Sequence, residues 1–126
     1  MATPVPQKLL LKPGMLARFI NTPAGFWDTF GTLPQKVALH SGGSETSDWV
    51  LLFSKDEREL NKLAANAVSS VKTNGTLWVA FPKKPSGKQT TLTPRAGWTV
   101  LEDAGLQSMA SAAIDDVWSA LRWKKS

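Results

Sequence analysis

The chain has 126 residues, of which 42% are hydrophobic and 20% are charged. This balance is typical of one globular domain and excludes wholesale disorder. The absence of cysteine excludes disulfides, thiolate zinc sites and cysteine nucleophiles, and it leads us to expect a reducing, cytoplasmic setting. The net charge of +5 has the sign that attracts phosphates or acidic partners, but it is also common in proteins that merely need to stay in solution.

Neither a signal peptide nor a membrane span is predicted. A membrane helix needs about 20 consecutive apolar residues, and no segment approaches this, so we expect no membrane partner. Residues 1–12 contain Pro4 and Pro6, which oppose regular structure, and one short apolar run from Leu9 to Leu11. They predict an N-terminal arm, followed by a single domain over residues 13–126.

The first half of the chain predicts two short strands. Met15 to Ile20 is a mostly apolar run that follows the turn residues Pro13-Gly14, and Val37 to Leu39 is a second run. Between them, Phe26 to Phe30 is long enough for one or two helical turns.

The centre of the chain predicts a strand, a helix and a second strand. Trp49 to Phe53 is a continuous apolar run, which is typical of a strand covered on both faces. Ser54 and Glu57 then predict a capping box at a helix start. Apolar residues recur at three- and four-residue spacing until Gly75, where we expect the helix to end. Thr76 to Phe81 is the next buried strand, parallel to the first.

The last third predicts a helix and a hairpin after a basic loop. The helix is expected from Thr93 to about Ala104. Two antiparallel strands follow, Gln107 to Ile114 and Val117 to Trp123, joined by a turn that contains two aspartates. The chain is therefore predicted to be an α/β three-layer sandwich, with a mostly parallel sheet of about six short strands and a C-terminal antiparallel hairpin.

Four sequence motifs carry a resemblance to known proteins. They are LKPGM at residues 11–15, WVAFPKKPSG at 78–87, DAGL at 103–106 and DDVWSALRW at 115–123. These motifs are similar to those of an uncharacterised bacterial family. More broadly, the order of strands and helices resembles the second half of a class I methyltransferase, a Rossmann-like fold. The resemblance implies a truncated methyltransferase-like fold over about residues 12–123, and it brings no established activity.

The features with which methyltransferases hold S-adenosylmethionine are not found. The turn after the first strand runs from Asn21 to Gly25 and has one glycine, and Pro23 in this turn lacks an N–H donor. The second strand ends at Leu39-His40 rather than at an acid that would hold the ribose hydroxyls. We therefore expect no cofactor and no methyl transfer. A diverged enzyme of the same fold is the alternative.

Two groups of residues are candidates for binding a ligand, because open α/β sheets bind ligands beyond the carboxyl ends of their parallel strands. One group follows these strands and includes lysines suited to anions; the other lies on the final hairpin. The alternative for the first group is an ordinary solvated loop. The alternative for the second is a hairpin that only forms the edge of the sheet. The candidates are Asn21, Thr22, Gly25, Lys83, Lys84, Ser86 and Lys88 in the first group, and Asp116, Trp118, Ser119 and Arg122 in the second.

No catalytic or metal-binding residue is predicted. His40 is the single histidine, no GxSxG elbow is present, and no acids or other ligands cluster with this histidine. Our preferred interpretation is a non-catalytic domain that binds a small anionic ligand or a protein partner at the carboxyl edge of the sheet. Weak nucleic-acid binding through residues 83–95 and the basic C-terminal tail is the second interpretation. The six tryptophans fall largely inside predicted elements, which indicates core packing rather than a stacking platform for bases.

Overall fold

The structure is a computed structural model that describes residues 9, 11–22, 36–39, 46–82, 98–114 and 118–125. The predicted helical turns at Phe26 to Phe30 and the predicted helix start at Thr93 lie outside these residues. The strands are β1 (Leu16–Ile20), β2 (Ala38–Leu39), β3 (Ser47–Phe53), β4 (Val71–Pro82), β5 (Leu106–Ala113) and β6 (Trp118–Lys125), and the helices are α1 (Glu57–Ser70) and α2 (Thr99–Asp103).

The strands form one mixed sheet in the order β2-β1-β3-β4-β6-β5. The first four strands in this order are parallel neighbours, and β6 lies antiparallel between β4 and β5. The antiparallel pairings align fourteen pairs of residues and the parallel pairings align twelve. The prediction of a mostly parallel sheet is therefore wrong. The predicted C-terminal hairpin is present, but β6 also forms a long antiparallel ladder with β4.

Strand β3 is covered on both faces, as its continuous apolar run predicts. All five residues from Trp49 to Phe53 are at most 1% exposed. Val50 and Leu52 belong to the core cluster on one face, and Trp49, Leu51 and Phe53 belong to the cluster on the other. This alternation is what a strand at the centre of a sheet requires, because successive side chains point to opposite faces.

Both described helices pack on the same face of the sheet. Leu60 and Ala67 of α1 and Leu101 of α2 belong to one core cluster, which also contains Trp98 and Trp123. Of the three predicted layers, the described residues thus include the sheet and the helical layer on one face. Helix α1 packs against β3 and β4, and α2 packs against β5. The start of α1 lies beside the carboxyl ends of β1 and β3.

The opposite face is covered by residues from the segment predicted to be an arm. Leu9 and Leu11 are buried there. The backbone carbonyl of Leu9 accepts hydrogen bonds from the indole N–H groups of Trp49 (2.7 Å) and Trp78 (2.6 Å). One carbonyl therefore satisfies two buried indoles, which ties this part of the N-terminal segment to the centre of the sheet.

Helix α1 begins two residues later than predicted. Its N-cap is Asp56, whose Oδ1 accepts the backbone N–H of Glu59 at 2.8 Å. Ser54 is buried, and its hydroxyl donates to the Asp56 carbonyl at 2.7 Å. The capping box predicted from Ser54 and Glu57 is therefore wrong, because Ser54 is still aligned with β4 and donates its backbone N–H to the Ala80 carbonyl at 2.9 Å.

Helix α1 also ends earlier than predicted, at Ser70 rather than near Gly75. The guanidinium of Arg18 donates to the Ser70 hydroxyl at 2.6 Å, so a cation from β1 lies at the negative end of the helix dipole. Gly75 instead lies within β4, beside a register shift relative to β3. A Cβ atom at this position would lie 2.8 Å from the Lys72 carbonyl oxygen, so glycine is required by close backbone approach and not by a helix end.

Asp48 links the amino ends of three strands. Its Oδ2 accepts the backbone N–H of Leu16 at 2.9 Å, and its carboxylate forms an ion pair with Lys72. The hydrogen bond from Leu16, together with that from Lys72, holds the pKa of Asp48 below its ordinary value. These contacts lie at the edge of the sheet opposite to the one that the sequence predicts for a ligand.

Candidate functional site

The order of the strands defines where a ligand crevice is expected. Strand β1 lies between β2 and β3 in the sheet. The chain passes from β1 to β2 on one side of β1, and then to β3 on the other side of β1. Such a reversal is a topological switch point, and open α/β sheets bind ligands in the crevice just beyond the carboxyl ends of the two strands concerned. In this chain the crevice lies between the end of β1 and the end of β3.

Asn21 bridges this crevice. It follows β1 directly and has a left-handed backbone (φ 59), a conformation that asparagine tolerates better than most residues. Its side-chain Nδ2 donates to the Phe53 carbonyl oxygen at 2.8 Å and to Glu59 Oε1 at 2.9 Å. The side chain thus connects the end of β1 to the end of β3 and to the first turn of α1, and both of its N–H donors are used.

Glu59 completes a small polar network at the start of α1. Its Oε1 accepts the backbone N–H of Lys55 at 2.9 Å in addition to the Asn21 amide. The carboxylate therefore stabilises the turn between β3 and the helix, while Asp56 caps the first turn. Asp56 and Glu59 thus both stabilise the start of the helix.

A shallow depression of about 240 Å³ opens beside this network. It is lined by charged residues of both signs, with three cations and two acids: Lys55, Asp56, Arg58, Glu59 and Lys62. A second depression, of about 430 Å³, lies further along α1 against α2 and is lined mainly by small apolar side chains such as Ala64 and Val100. Among the described residues, the surface beside the start of α1 is therefore lined by charged groups.

Trp118 approaches the same edge from the other side of β3. Its ring packs against the ring of Phe53 in a T-shaped contact, with the centroids 5.1 Å apart. Phe53 thus holds Asn21 through its carbonyl and Trp118 through its side chain. Ser119 is half-buried and aligned with Phe81 of β4. Two predicted site residues, Asn21 and Trp118, therefore both contact Phe53 at the carboxyl edge.

Arg122 does not join this group. It lies four residues beyond Trp118 on β6, about 13 Å along the strand, and is aligned with Trp78 at the middle of β4. Its Nη2 lies 3.4 Å from the Thr76 hydroxyl, and its Nε is buried without a hydrogen-bond partner among the described residues. Arg122 therefore contacts the polar part of β4 and does not line the crevice.

The remaining predicted site residues fall in two classes. Thr22 is half-buried next to Asn21. Gly25, Lys83, Lys84, Ser86, Lys88 and Asp116 lie outside the described residues, as does His40. The anion site predicted at the lysine loop accordingly stays a prediction.

The described residues also limit other kinds of site. Within the described ranges, no group of three or more His, Cys, Asp or Glu side chains is arranged to hold a metal ion. No described helix is long and apolar enough to cross a membrane.

Comparison with known proteins identifies the fold as methyltransferase-like. The chain is similar to the ribosomal protein L11 methylase of Lactobacillus delbrueckii subsp. bulgaricus, with a TM-score of 0.59 and 12% identity over 95% of this chain and 74% of that one. It is also similar to Aeropyrum pernix fibrillarin, solved with bound S-adenosyl-L-methionine, with a TM-score of 0.58 and 12% identity over 98% of this chain and 69% of that one. No protein-family model and no curated protein sequence matches the chain. At this identity the likeness shows the fold alone.

Proposed function

We propose that this chain is a non-catalytic methyltransferase-like domain whose carboxyl edge binds a protein partner. The observation that carries the proposal is the Asn21 bridge across the switch point. This crevice is where the fold offers a ligand site, and the Asn21 amide already occupies it with two hydrogen bonds to the protein's own groups. Membership of the uncharacterised bacterial family that the four sequence motifs resemble is part of the same proposal.

The residues at this edge do not fit S-adenosylmethionine. The turn from Asn21 to Gly25 has one glycine, and Pro23 lacks an N–H donor. Strand β2 ends at Leu39 and is not followed by an acid that would hold the ribose. Glu59, the acid at the crevice, already accepts two N–H groups. These residues therefore favour a domain that does not transfer methyl groups.

The form of the edge favours a protein over a small molecule. Small-molecule pockets typically enclose about 300–1,000 Å³ and are mostly apolar, whereas the depression that described residues form at this edge is about 240 Å³ and lined by charged groups. An open surface with both signs of charge is typical of the polar rim of a protein interface. A small anionic ligand at the lysine loop is the competing prediction. Binding assays with a partner protein and with inorganic phosphate distinguish these two kinds of site.

Two other functions have less support. Nucleic-acid binding by stacking needs exposed aromatic rings, but Trp49, Trp78, Trp98 and Trp123 are at most 4% exposed. A diverged enzyme would be indicated by titratable groups with shifted pKa values in a crevice. Among the described residues, the carboxyl with a lowered pKa is Asp48, which lies at the opposite edge of the sheet.

Charge reversal at the start of α1 tests the proposal. We expect Arg58→Glu to abolish capture of a partner protein by the immobilised chain, because Arg58 lines the charged depression. The matched control is Lys124→Glu, an equal change of charge at an exposed position on β6. Equal capture by both variants would contradict the proposal. Saturable binding of inorganic phosphate or S-adenosylmethionine in calorimetry would favour a small-molecule site instead.

A further inference from the structure

The two edge strands of the sheet have very different lengths. Strand β2, at one side, has two residues, whereas β5, at the other, has eight. A strand at the side of a sheet has unpaired backbone N–H and C=O groups, and a very short strand limits their number. Strand β5 lacks that protection, and no described residue pairs with its outer side.

Strand β5 is also exposed on both of its faces. All residues from Gln107 to Ser111 are exposed, and Met109 at 51% is the exposed large hydrophobic side chain among the described residues. Residues 106–114 contain no charged residue and no proline. Proteins commonly use such residues to prevent the outer strand of a sheet from pairing with other chains. The one protective feature of β5 is a bulge at Met109.

The bulge divides β5 into two regular parts. Ser108 is aligned with Trp123, and Ala110 is aligned with Arg122. Strand β5 therefore has one extra residue, Met109, that has no counterpart on β6. From Ala110 to Ala113 the register with β6 is regular. This second part offers a run of small residues whose outer backbone groups are available to another strand.

We propose that β5 pairs antiparallel with β5 of a second copy of this chain, about a two-fold axis near Met109. Antiparallel pairing of a strand with itself is isologous, as in most symmetric dimers, and about this axis it places Ser108 opposite Ala110 and Gln107 opposite Ser111 of the second copy. The two Met109 side chains then meet at the axis and bury apolar surface. The inference does not depend on the function proposed for the carboxyl edge.

A second copy fits this strand better than a foreign peptide. Peptides that add a strand to a sheet gain specificity from pockets that receive their side chains, and neither depression in the described residues is lined by β5. Two copies, each with a charge of +5, repel one another over much of their surface. The uncharged segment 106–114 is a region where two such copies approach without placing like charges in contact.

The mass of the protein in solution as a function of concentration tests the proposal. We expect light scattering to show a reversible monomer–dimer equilibrium for the parent chain. Ser111→Lys introduces a charge into the uncharged segment that pairs with the second copy, and at least a tenfold weaker dimerisation is expected. Ala65→Lys, an equal charge at an exposed position on α1, is expected to leave the equilibrium unchanged. A monomeric parent at all concentrations, or equal effects of the two variants, would overturn the proposal.

A cross-link locates the contact independently of stability. Because the chain has no cysteine, Met109→Cys introduces a single thiol at the proposed axis. Mild oxidation of this variant is expected to give a disulfide-linked dimer, whereas Ser69→Cys on the exposed side of α1 is expected to stay monomeric under the same conditions. If Ser69→Cys cross-links as readily as Met109→Cys, the dimer contact does not involve β5.

Discussion

At the scale of single residues, Asn21 combines a backbone role with a side-chain role. Its left-handed backbone turns the chain at the end of β1, and its amide bonds to Phe53 and Glu59, which lie 32 and 38 residues further along the chain. A shorter polar side chain would turn the backbone without reaching both acceptors. The residue therefore connects the end of β1 to the end of β3 and to the start of α1.

Two substitutions of Asn21 separate these roles. Asn21→Gly keeps the left-handed backbone and removes two hydrogen bonds, so we expect the free energy of unfolding to fall by about 1–2 kcal/mol. Asn21→Ala also forces a Cβ-bearing residue without a polar side chain into this conformation, and a further loss of about 1–2 kcal/mol is expected. Urea denaturation measures both. Equal stabilities for the Gly variant and the parent would show that the bridge contributes nothing.

Asp48 predicts a specific dependence of stability on pH. Its pKa is lowered in the folded state from 3.8, so its contribution is fully present above the unfolded pKa and is lost as the pH falls through the folded pKa. We expect Asp48→Asn to lose stability at pH 7 but to show a flatter decline below about pH 4. Thermal unfolding between pH 7 and pH 2.5 measures this. The exposed Glu102→Gln is the charge-matched control, and parallel curves for parent and Asp48→Asn would contradict the assignment.

At the scale of elements, the local sequence predicts a strand or a hairpin correctly where the residues of that segment alone determine its structure. The continuous apolar run predicts β3 correctly, and two short runs separated by a turn predict the final hairpin. The ends of α1 are different. Ser54 and Asp56 both have the chemistry of an N-cap, and what decides between them is that Ser54 is still hydrogen-bonded to Ala80 of β4. Such a contact between distant segments has no signature in the local sequence.

The irregular start of β4 makes a further prediction at this scale. Gly75→Ala places a Cβ 2.8 Å from the Lys72 carbonyl oxygen and 2.8 Å from Val71 Cγ2, and at least one of these atoms belongs to fixed backbone. We expect the free energy of unfolding to fall by about 1–3 kcal/mol. Gly105→Ala, where a Cβ meets open space but the backbone φ is +90, is expected to lose about 1 kcal/mol. If Gly105→Ala loses more stability than Gly75→Ala, the close contacts of a Cβ at position 75 cost less than the backbone strain at position 105.

At the scale of the whole molecule, the strand order could not be predicted from the sequence. The sequence predicts β5 and β6 as a pair, but it does not show that β6 lies next to β4 and so makes the sheet mostly antiparallel by paired residues. The carbonyl of Leu9, which binds two indoles, was missed for the same reason: a backbone acceptor has no residue type that marks it. For the candidate site, the sequence identified Asn21 by its position after β1, but not its partners.

The strand order and the residues at the strand ends have separate consequences for the proposed function. The switch point between β1 and β3 is present, so the crevice follows from the topology. The residues at the two strand ends are Asn21 and Phe53, and the Asn21 amide donates hydrogen bonds to the Phe53 carbonyl and to Glu59 in the first turn of α1. The fold therefore determines where a ligand site can lie, and the side chains there determine whether a ligand binds.

An amide NMR titration with S-adenosylhomocysteine tests the central claim, that the Asn21 bridge closes this crevice. The spectra are recorded for the ¹⁵N-labelled chain, and the amides of Asn21, Thr22 and residues 53–59 report on the crevice. We expect no saturable shift of these amides at millimolar ligand. Saturable shifts confined to these amides would contradict the claim and would show that the methyltransferase-like fold has kept its cofactor site.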